Sequence, residues 1–110
     1  MITVNELAER TELVRLNKKE QADRQIMSVY CCDLLSAVMG RAPADTAWVT
    51  VMGNINVIAV SALTDSACVV VADGAEVDAR ALDKADEQGV LILRSPLPIF
   101  ETAKLIDGFL

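Results

Sequence analysis

Two continuous apolar runs constrain the fold of this chain most: "ACVVVA" at residues 67–72 and "VLIL" at residues 90–93. Short apolar runs that are rich in β-branched residues and bounded by turn residues predict strands buried on both faces. The sequence between them is charged, with apolar residues at helical spacing, so it predicts a crossover helix. Strand, helix and strand in this order predict a parallel sheet covered by helices.

The same alternation extends toward the amino terminus. "AWVTVM" (47–52) and "QIMSVYCC" (25–32) predict two more strands, and "ELVRL" (12–16) alternates as a further strand. A capping box formed by Thr3 and Glu6 predicts a short helix before it. We therefore expect an α/β fold, a compact layered domain with a mainly parallel sheet flanked by helices.

The remaining helices are predicted from capping residues and apolar stripes. Asp33 is expected to cap a helix that ends at Gly40, and Asp78 a helix that ends at Gly89. A last helix follows Pro98. The residues expected to face the core are Ala79, Leu82 and Ala85 in the second of these helices, and Ile99, Ala103 and Ile106 in the last.

The segment "NINVIAVSALT" (54–64) is ambiguous, because its β-branched residues favour a strand and its length and asparagines favour a helix. A helix here would be apolar on nearly every side and would have to be buried. Parallel strands need crossovers, and the rhythm of strand and helix therefore favours the helix.

Composition excludes several classes of function. The net charge is −6, and no Lys or Arg lies between Arg41 and Arg80, which argues against nucleic acid and anionic membranes as partners. The amino terminus is charged within six residues and lacks the apolar segment of a signal peptide. Three cysteines, an odd number, are typical of free thiols in a reducing compartment, so we expect a cytoplasmic protein.

The adjacent Cys31 and Cys32 raise the question of a thiol or metal site. Neighbouring residues of a strand point to opposite faces, so these two thiols cannot both approach one metal ion. The chain has no histidine, which removes the base for a thiol nucleophile and the usual imidazole ligands. We predict cysteines that pack in the core, no metal, no cofactor and no catalytic residues.

The sequence "TVMGNIN" (50–56) marks a possible ligand site. Ligands of parallel α/β sheets bind beyond the carboxyl ends of strands, beside helix N-termini. The candidate binding residues are Thr50, Met52, Gly53, Asn54 and Asn56, joined at the same edge by Asp33, Asp73 and Gly74. Helix capping by the same asparagines is the simpler explanation of this pattern. No Lys or Arg is nearby in sequence, which favours a neutral or weakly anionic ligand.

Several longer segments, above all "YCCDLLSAVMG" and "AWVTVMGNINVIAV", resemble the DRTGG domain family. The resemblance covers nearly the whole chain, so residues 1–110 are expected to form a single DRTGG-like domain. It is closest to the stand-alone branch related to the N-terminal domain of HPr kinase/phosphorylase, and implies a similar fold without the kinase domain. Many members carry a Thr-Gly-Gly or Thr-Pro-Gly turn followed by Asp-Arg. Here Thr50 matches, but residues 52–56 lack the acidic–basic pair.

The resemblance implies a regulatory role, because these domains accompany CBS modules or phosphotransacetylases, and the stand-alone branch often accompanies hydrogenase genes. We therefore expect a non-enzymatic regulatory or ligand-sensing domain, a homodimer with a small-molecule or nucleotide-like ligand. It would be accessory to a hydrogenase or another redox system. The alternative is a subunit that docks on a redox complex and binds no small molecule. That alternative predicts an exposed apolar patch on the last helix, around Ile99, Phe100 and Phe109.

Overall fold

The computed structural model describes all residues from Met1 to Leu110. Its strands are β1 (Ile2–Thr3), β2 (Val14–Arg15), β3 (Gln25–Ile26), β4 (Ser28–Cys31), β5 (Thr46–Thr50), β6 (Cys68–Val71) and β7 (Ile92–Arg94). Its helices are α1 (Val4–Arg10), α2 (Leu35–Arg41), α3 (Ile55–Thr64), α4 (Ala79–Gln88) and α5 (Ile99–Asp107). None of these helices combines the length and the apolar character needed to cross a bilayer.

A five-stranded sheet forms the centre of the molecule, with strand order β2-β7-β6-β5-β4. β4, β5, β6 and β7 are parallel, and only β2 is antiparallel to its neighbour β7. β1 and β3 form a separate antiparallel pair. The predicted α/β fold with a mainly parallel sheet is thus confirmed.

Helices cover both faces of this sheet. On one face, alternate strand residues such as Val49 and Val70 join a cluster with residues of α1, α5 and the β1–β3 pair. On the other face, Trp48 and Val69 belong to a second cluster with residues of α2, α3 and α4. Side chains of a strand alternate between faces, and the continuous apolar runs therefore supply both cores.

α3 confirms the helical interpretation of residues 54–64. Asn54 is its N-cap, and the Asn54 side chain accepts a hydrogen bond from the Val57 amide at 3.2 Å. The helix lies between α2 and α4, which explains why it tolerates apolar residues on most sides. Asp65 ends it in the left-handed conformation, with φ of 57°.

Four local predictions were wrong. Residues 25–32 form two strands in different sheets, with a break at Met27. Asp33 does not cap α2: the N-cap is Leu34, without a side-chain bond. Gly40 lies inside α2, which continues to Arg41. Ala79 is exposed, and α4 instead buries Ala81 and Ala85.

Arg24 connects the amino ends of β5 and β6, at what we call the amino edge of the sheet. Its guanidinium donates to Asp45 Oδ1 at 2.6 Å and to Asp65 Oδ1 at 3.1 Å. The hydrogen bond with Asp45 and the charge of Asp65 raise the pKa of Arg24, despite some desolvation. Both aspartates have positive φ, a conformation that Asp adopts more readily than most residues. The guanidinium of Arg24 is therefore paired within the fold with both aspartates.

Candidate ligand site at the carboxyl edge of the sheet

The four parallel strands all end at the opposite edge, which we call the carboxyl edge. The loops that follow β4, β5, β6 and β7 lie there side by side. β2 is antiparallel, with Val14 opposite Arg94, so the start of β2 lies at the same edge. All eight candidate binding residues fall in or beside these loops, namely Asp33, Thr50, Met52, Gly53, Asn54, Asn56, Asp73 and Gly74.

Asp33 and Thr50 are in direct contact at one end of this edge. The buried Thr50 hydroxyl donates to Asp33 Oδ1 at 2.6 Å, and the Val51 amide donates to the same oxygen at 3.1 Å. Thr50 Oγ1 also accepts from the Met52 amide at 3.2 Å. Asp33 Oδ2 has no hydrogen-bond partner within the chain, and the carboxylate is exposed. This oxygen is available to a ligand donor.

Gly53 lies where two loops touch. A Cβ atom at this position would collide with the Glu76 carbonyl oxygen and lie 2.8 Å from Val77 Cα, both of them backbone atoms. The Gly53 carbonyl accepts from the Asp78 amide at 2.8 Å. Gly53 therefore allows the loop after β6 to pack on the loop after β5. Because glycine has no Cβ, Gly53 lets these two backbone segments of the protein itself approach closely.

The two asparagines differ in function. The side-chain oxygen of Asn54 caps α3, so helix capping, the simpler of the two explanations for this residue, is confirmed. Asn56 is exposed in the first turn of α3, and its side chain makes no hydrogen bond within the chain. Met52 packs its side chain partly against the core beneath α3. Of these three residues, Asn56 is the one whose side chain is free for a ligand.

Asp73 and Gly74 form a tight turn after β6. Both have left-handed backbone conformations, with φ of 62° and 61°. Their amides donate to the carbonyls of Leu97 and Ser95, at 2.7 and 2.8 Å, which holds the turn against the loop after β7. The Asp73 carboxylate is left exposed.

Arg94 is the site residue that sequence reasoning missed. It ends β7, and its Nη2 donates to the Gly74 carbonyl at 2.7 Å, while no carboxylate lies within ion-pair distance of it. The exposed guanidinium lines a shallow hollow of about 280 Å³ together with Glu12, Val14, Gly74 and Pro96. The signal was present, because a strand that ends in arginine places the charge at the edge where ligands bind. The expectation that no cation lies nearby was therefore wrong.

These residues form two groups rather than one surface. Asp33 follows β4 and Arg94 ends β7, and these strands are three positions apart in the sheet. Adjacent strands are 4.7–4.9 Å apart, which places the two groups about 14 Å from each other. A ligand that reaches both needs an anionic group at Arg94 and a hydrogen-bond donor at Asp33.

The cysteines do not form a site with these residues. Cys31 and Cys32 point to opposite faces as predicted: Cys31 lines a groove beside α5, and Cys32 packs against the core beneath α2. Cys31 is exposed, so the prediction that it packs in the core was wrong. Desolvation and the charge of Asp33 raise the pKa of its thiol. Cys68 is fully buried, and burial raises the pKa of its thiol to about 12.

A family model of the DRTGG domain matches residues 6–109, which is nearly the whole chain. The chain belongs to the DRTGG domain family. The resemblance inferred from "YCCDLLSAVMG" and "AWVTVMGNINVIAV" is thereby confirmed. Among curated proteins, a sequence search finds no significant match to this DRTGG domain.

This DRTGG domain is similar to a crystal structure of the CBS and DRTGG domains from the regulatory region of a Clostridium perfringens pyrophosphatase. That structure was determined in complex with an activator, diadenosine tetraphosphate. The two share a TM-score of 0.74 and 10% sequence identity, over 94% of this chain and 45% of the other. At this identity the likeness shows a common fold.

Proposed function

We propose that residues 1–110 act as a non-enzymatic, cytoplasmic regulatory domain that senses a nucleotide-like small molecule at the carboxyl edge. The observation that carries this proposal is the exposed, unpaired Arg94 beside a hollow on a chain whose net charge is −6. An isolated guanidinium presents several N–H donors to a phosphate oxygen. The pyrophosphatase regulatory region, which contains a part with this fold and was crystallised with a nucleotide activator, supports the proposal.

The charges at the carboxyl edge define the class of ligand. Glu12 lines the same hollow as Arg94 and lowers its affinity for a free, highly charged phosphate. A phosphate that carries one negative charge per phosphorus, as in a phosphodiester or a bridged polyphosphate, is repelled less. Ribose hydroxyls or a base amino group would donate to Asp33 and to the free side chain of Asn56. A nucleotide combines these groups within one molecule.

Calorimetric titration of the purified chain with AMP, ADP and diadenosine tetraphosphate tests this proposal. We expect binding of at least one of them and at least a tenfold weaker affinity for Arg94→Met, because a charge-assisted hydrogen bond contributes about 1.5–3 kcal/mol. Asn56→Ala should weaken the same ligand by a smaller factor. Glu12→Gln should strengthen it, since a repulsive carboxylate is removed.

Arg41→Met is the matched control, because Arg41 is also exposed but ends α2 at the amino edge of the sheet, away from the proposed site. Its affinity should equal that of the wild type. Unchanged affinity in Arg94→Met would place the site elsewhere. If Asn56→Ala and Asn54→Ala both leave affinity unchanged, the loop after β5 is not part of the site.

Three further expectations are also proposals: a homodimer, kinship with the N-terminal domain of HPr kinase, and an accessory role beside a hydrogenase or another redox system. The alternative function, docking on a redox complex without a small molecule, is supported by Phe100, whose side chain is 70% exposed. Ile99 and Phe109 pack partly against the core and contribute less to such a patch. Retention of a redox subunit by the immobilised chain, together with no response to any nucleotide, would favour this alternative.

A further inference from the structure

The two edges of the central sheet differ in how well they are protected. β2 at one edge has two residues, includes the charged Arg15 and runs antiparallel to β7. β4 at the other edge has four residues, Ser28 to Cys31, with no charge, proline or glycine among them. Folded monomers usually protect an edge strand with charge, proline or brevity, because its unpaired backbone groups recruit another strand. β4 has none of these features.

α5 presents a second stripe beside β4. Its residues Ile99, Thr102 and Ile106 face the core, and Ala103 packs partly against it. An open groove beside this helix is lined by Val29, Cys31, Phe100, Ala103, Lys104 and Asp107, of which Phe100, Lys104 and Asp107 are exposed. The α5 residues of this groove have the i, i+3, i+4, i+7 spacing that places side chains on one face of a helix. The groove has a volume of about 440 Å³. An exposed phenylalanine at the end of such a stripe is typical of an interaction surface.

The charges of this face indicate which partner fits it. Lys104 and Asp107 carry opposite charges and form no ion pair with each other or with any other residue of the chain. In an antiparallel pair of α5 helices related by a two-fold axis, Lys104 of each copy comes within about one turn of Asp107 of the other. The face is then complementary to itself. Lys104 and Asp107 also make this face neutral, whereas the whole chain has a net charge of −6. Two copies that meet at this face therefore repel each other less than at an acidic surface.

We propose that the face formed by β4 and the stripe of α5, which we call the β4–α5 face, binds a second copy of this chain. The two β4 strands pair antiparallel across a two-fold axis and extend the sheet from five to ten strands. The two α5 helices pack on the same side of that sheet, with Phe100 of each copy against the other helix. This proposal does not depend on the nucleotide site, which lies at the ends of the strands.

Sedimentation velocity of the wild-type chain over a range of micromolar concentrations is the first test. We expect a reversible dimer, with amides of β4 protected from hydrogen exchange in the dimer and more exposed on dilution. A wild-type chain that stays monomeric over this whole concentration range would overturn the proposal.

Phe100→Glu should weaken dimerisation at least 30-fold, the effect expected when an aromatic side chain that packs against the partner is replaced by a charge. Leu63→Glu is the matched control, because Leu63 is 74% exposed but lies on α3, across the sheet from α5. It should leave the dimer intact. Both variants should keep the circular dichroism spectrum of the wild type, since neither side chain is buried. An equal loss in both, or in neither, contradicts the assigned face.

A charge exchange tests the two-fold geometry separately. Lys104→Glu should weaken the dimer, because each interface then brings two carboxylates together. Adding Asp107→Lys to that variant restores opposite charges across the axis and should recover most of the lost affinity. A double variant as weak as Lys104→Glu alone would exclude the antiparallel pairing of the α5 helices.

Discussion

The two ends of the parallel sheet use the same residue types for different purposes. At the amino edge, Arg24 binds both Asp45 and Asp65, so all three charged groups have an ion-pair partner within the fold. At the carboxyl edge, Arg94 and Asp33 lie about three strands apart, and neither has an ion-pair partner. The ion pairs at the amino edge contribute to stability, whereas the unpaired Arg94 and Asp33 can interact with a ligand. The same residue types are therefore expected to stabilise the fold at one edge and to bind a ligand at the other.

The largest effect is expected where the loops of the carboxyl edge touch. Gly53→Ala places a Cβ against the backbone of Glu76 and Val77, so one of the two loops must move. We expect the free energy of unfolding to fall by about 3 kcal/mol, comparable to severe overpacking of a core. Chemical denaturation measures this loss.

Gly40→Ala is the control for that substitution. No heavy atom lies within 4 Å of the position of its Cβ, and Gly40 is inside α2. Alanine should stabilise the chain here by about 0.5–1 kcal/mol, because glycine is the weaker helix former. Similar losses in both variants would mean that Gly53 is not specifically required by the contact between the loops.

The buried Cys68 thiol should make the stability of the fold depend on pH. The Cys68 thiol ionises near 9.0 in the unfolded chain but only near 12 in the folded chain, because it is buried. Between these two values the unfolded state binds fewer protons than the folded state. The free energy of unfolding should therefore fall by about 1.4 kcal/mol for each pH unit between 9 and 12. Below pH 9 the Cys68 thiol should make no pH-dependent contribution to it.

Cys68→Ala isolates this contribution, because every other titratable group is present in both proteins. The difference in unfolding free energy between wild type and variant should shrink as pH rises from 9 to 12. At neutral pH, a thiol reagent should label Cys31 first and Cys68 only on unfolding. A constant difference across this pH range would show that Cys68 is solvated in the folded chain.

The two arginines give the most direct comparison of the edges. Arg24→Met leaves Asp45 and Asp65 without a cation, and we expect a loss of about 1–2 kcal/mol from partly exposed ion pairs and their hydrogen bonds. Arg94→Met should cost less than about 0.5 kcal/mol, as expected for an exposed side chain with one backbone contact. Thermal unfolding of the two variants side by side measures this difference. The assignment is wrong if Arg94→Met is the less stable of the two.

Much of the fold could be predicted from the sequence because its strongest signals are local. Apolar runs at 67–72 and 90–93 identify buried strands, and Asn54 has its capping partner three residues away. Asp33 was wrongly predicted to cap α2 because its actual partner, Thr50, is 17 positions away in sequence. The Asp33 carboxylate accepts a hydrogen bond from Thr50 and not from the amides at the start of α2. Capping rules describe neighbours along the chain and contain no information about the adjacent strand.

Strand order explains the other failures. Cys31 was expected in the core, because free cysteine usually packs as a small hydrophobic residue. β4 is an edge strand, however, and leaves Cys31 exposed. Arg94 was overlooked because it lies 38 positions beyond Asn56 in sequence, although both are at the carboxyl edge of the sheet. The order of the strands thus places the residues of the candidate site at one edge of the sheet. The periodicity and composition of the sequence predict single strands and helices but not that order.

The smallest effect concerns the two buried threonines at opposite ends of β5. Thr50 donates to the carboxylate of Asp33 at 2.6 Å, and Thr46 shares a hydrogen bond of 2.7 Å with the hydroxyl of Ser28. Valine has nearly the same shape, so Thr50→Val and Thr46→Val remove these bonds with little change in packing. Hydrogen bonds to charged groups contribute about 1.5–3 kcal/mol and neutral ones about 0.5–1.5 kcal/mol. Thr50→Val should therefore lose about 1 kcal/mol more than Thr46→Val in chemical denaturation.

The comparison of these two variants also tests how Asp33 is held in place. Equal losses in the two variants at neutral pH would mean that Asp33 is held by the Val51 amide alone. The carboxylate would then be free to turn toward a ligand without disturbing β5.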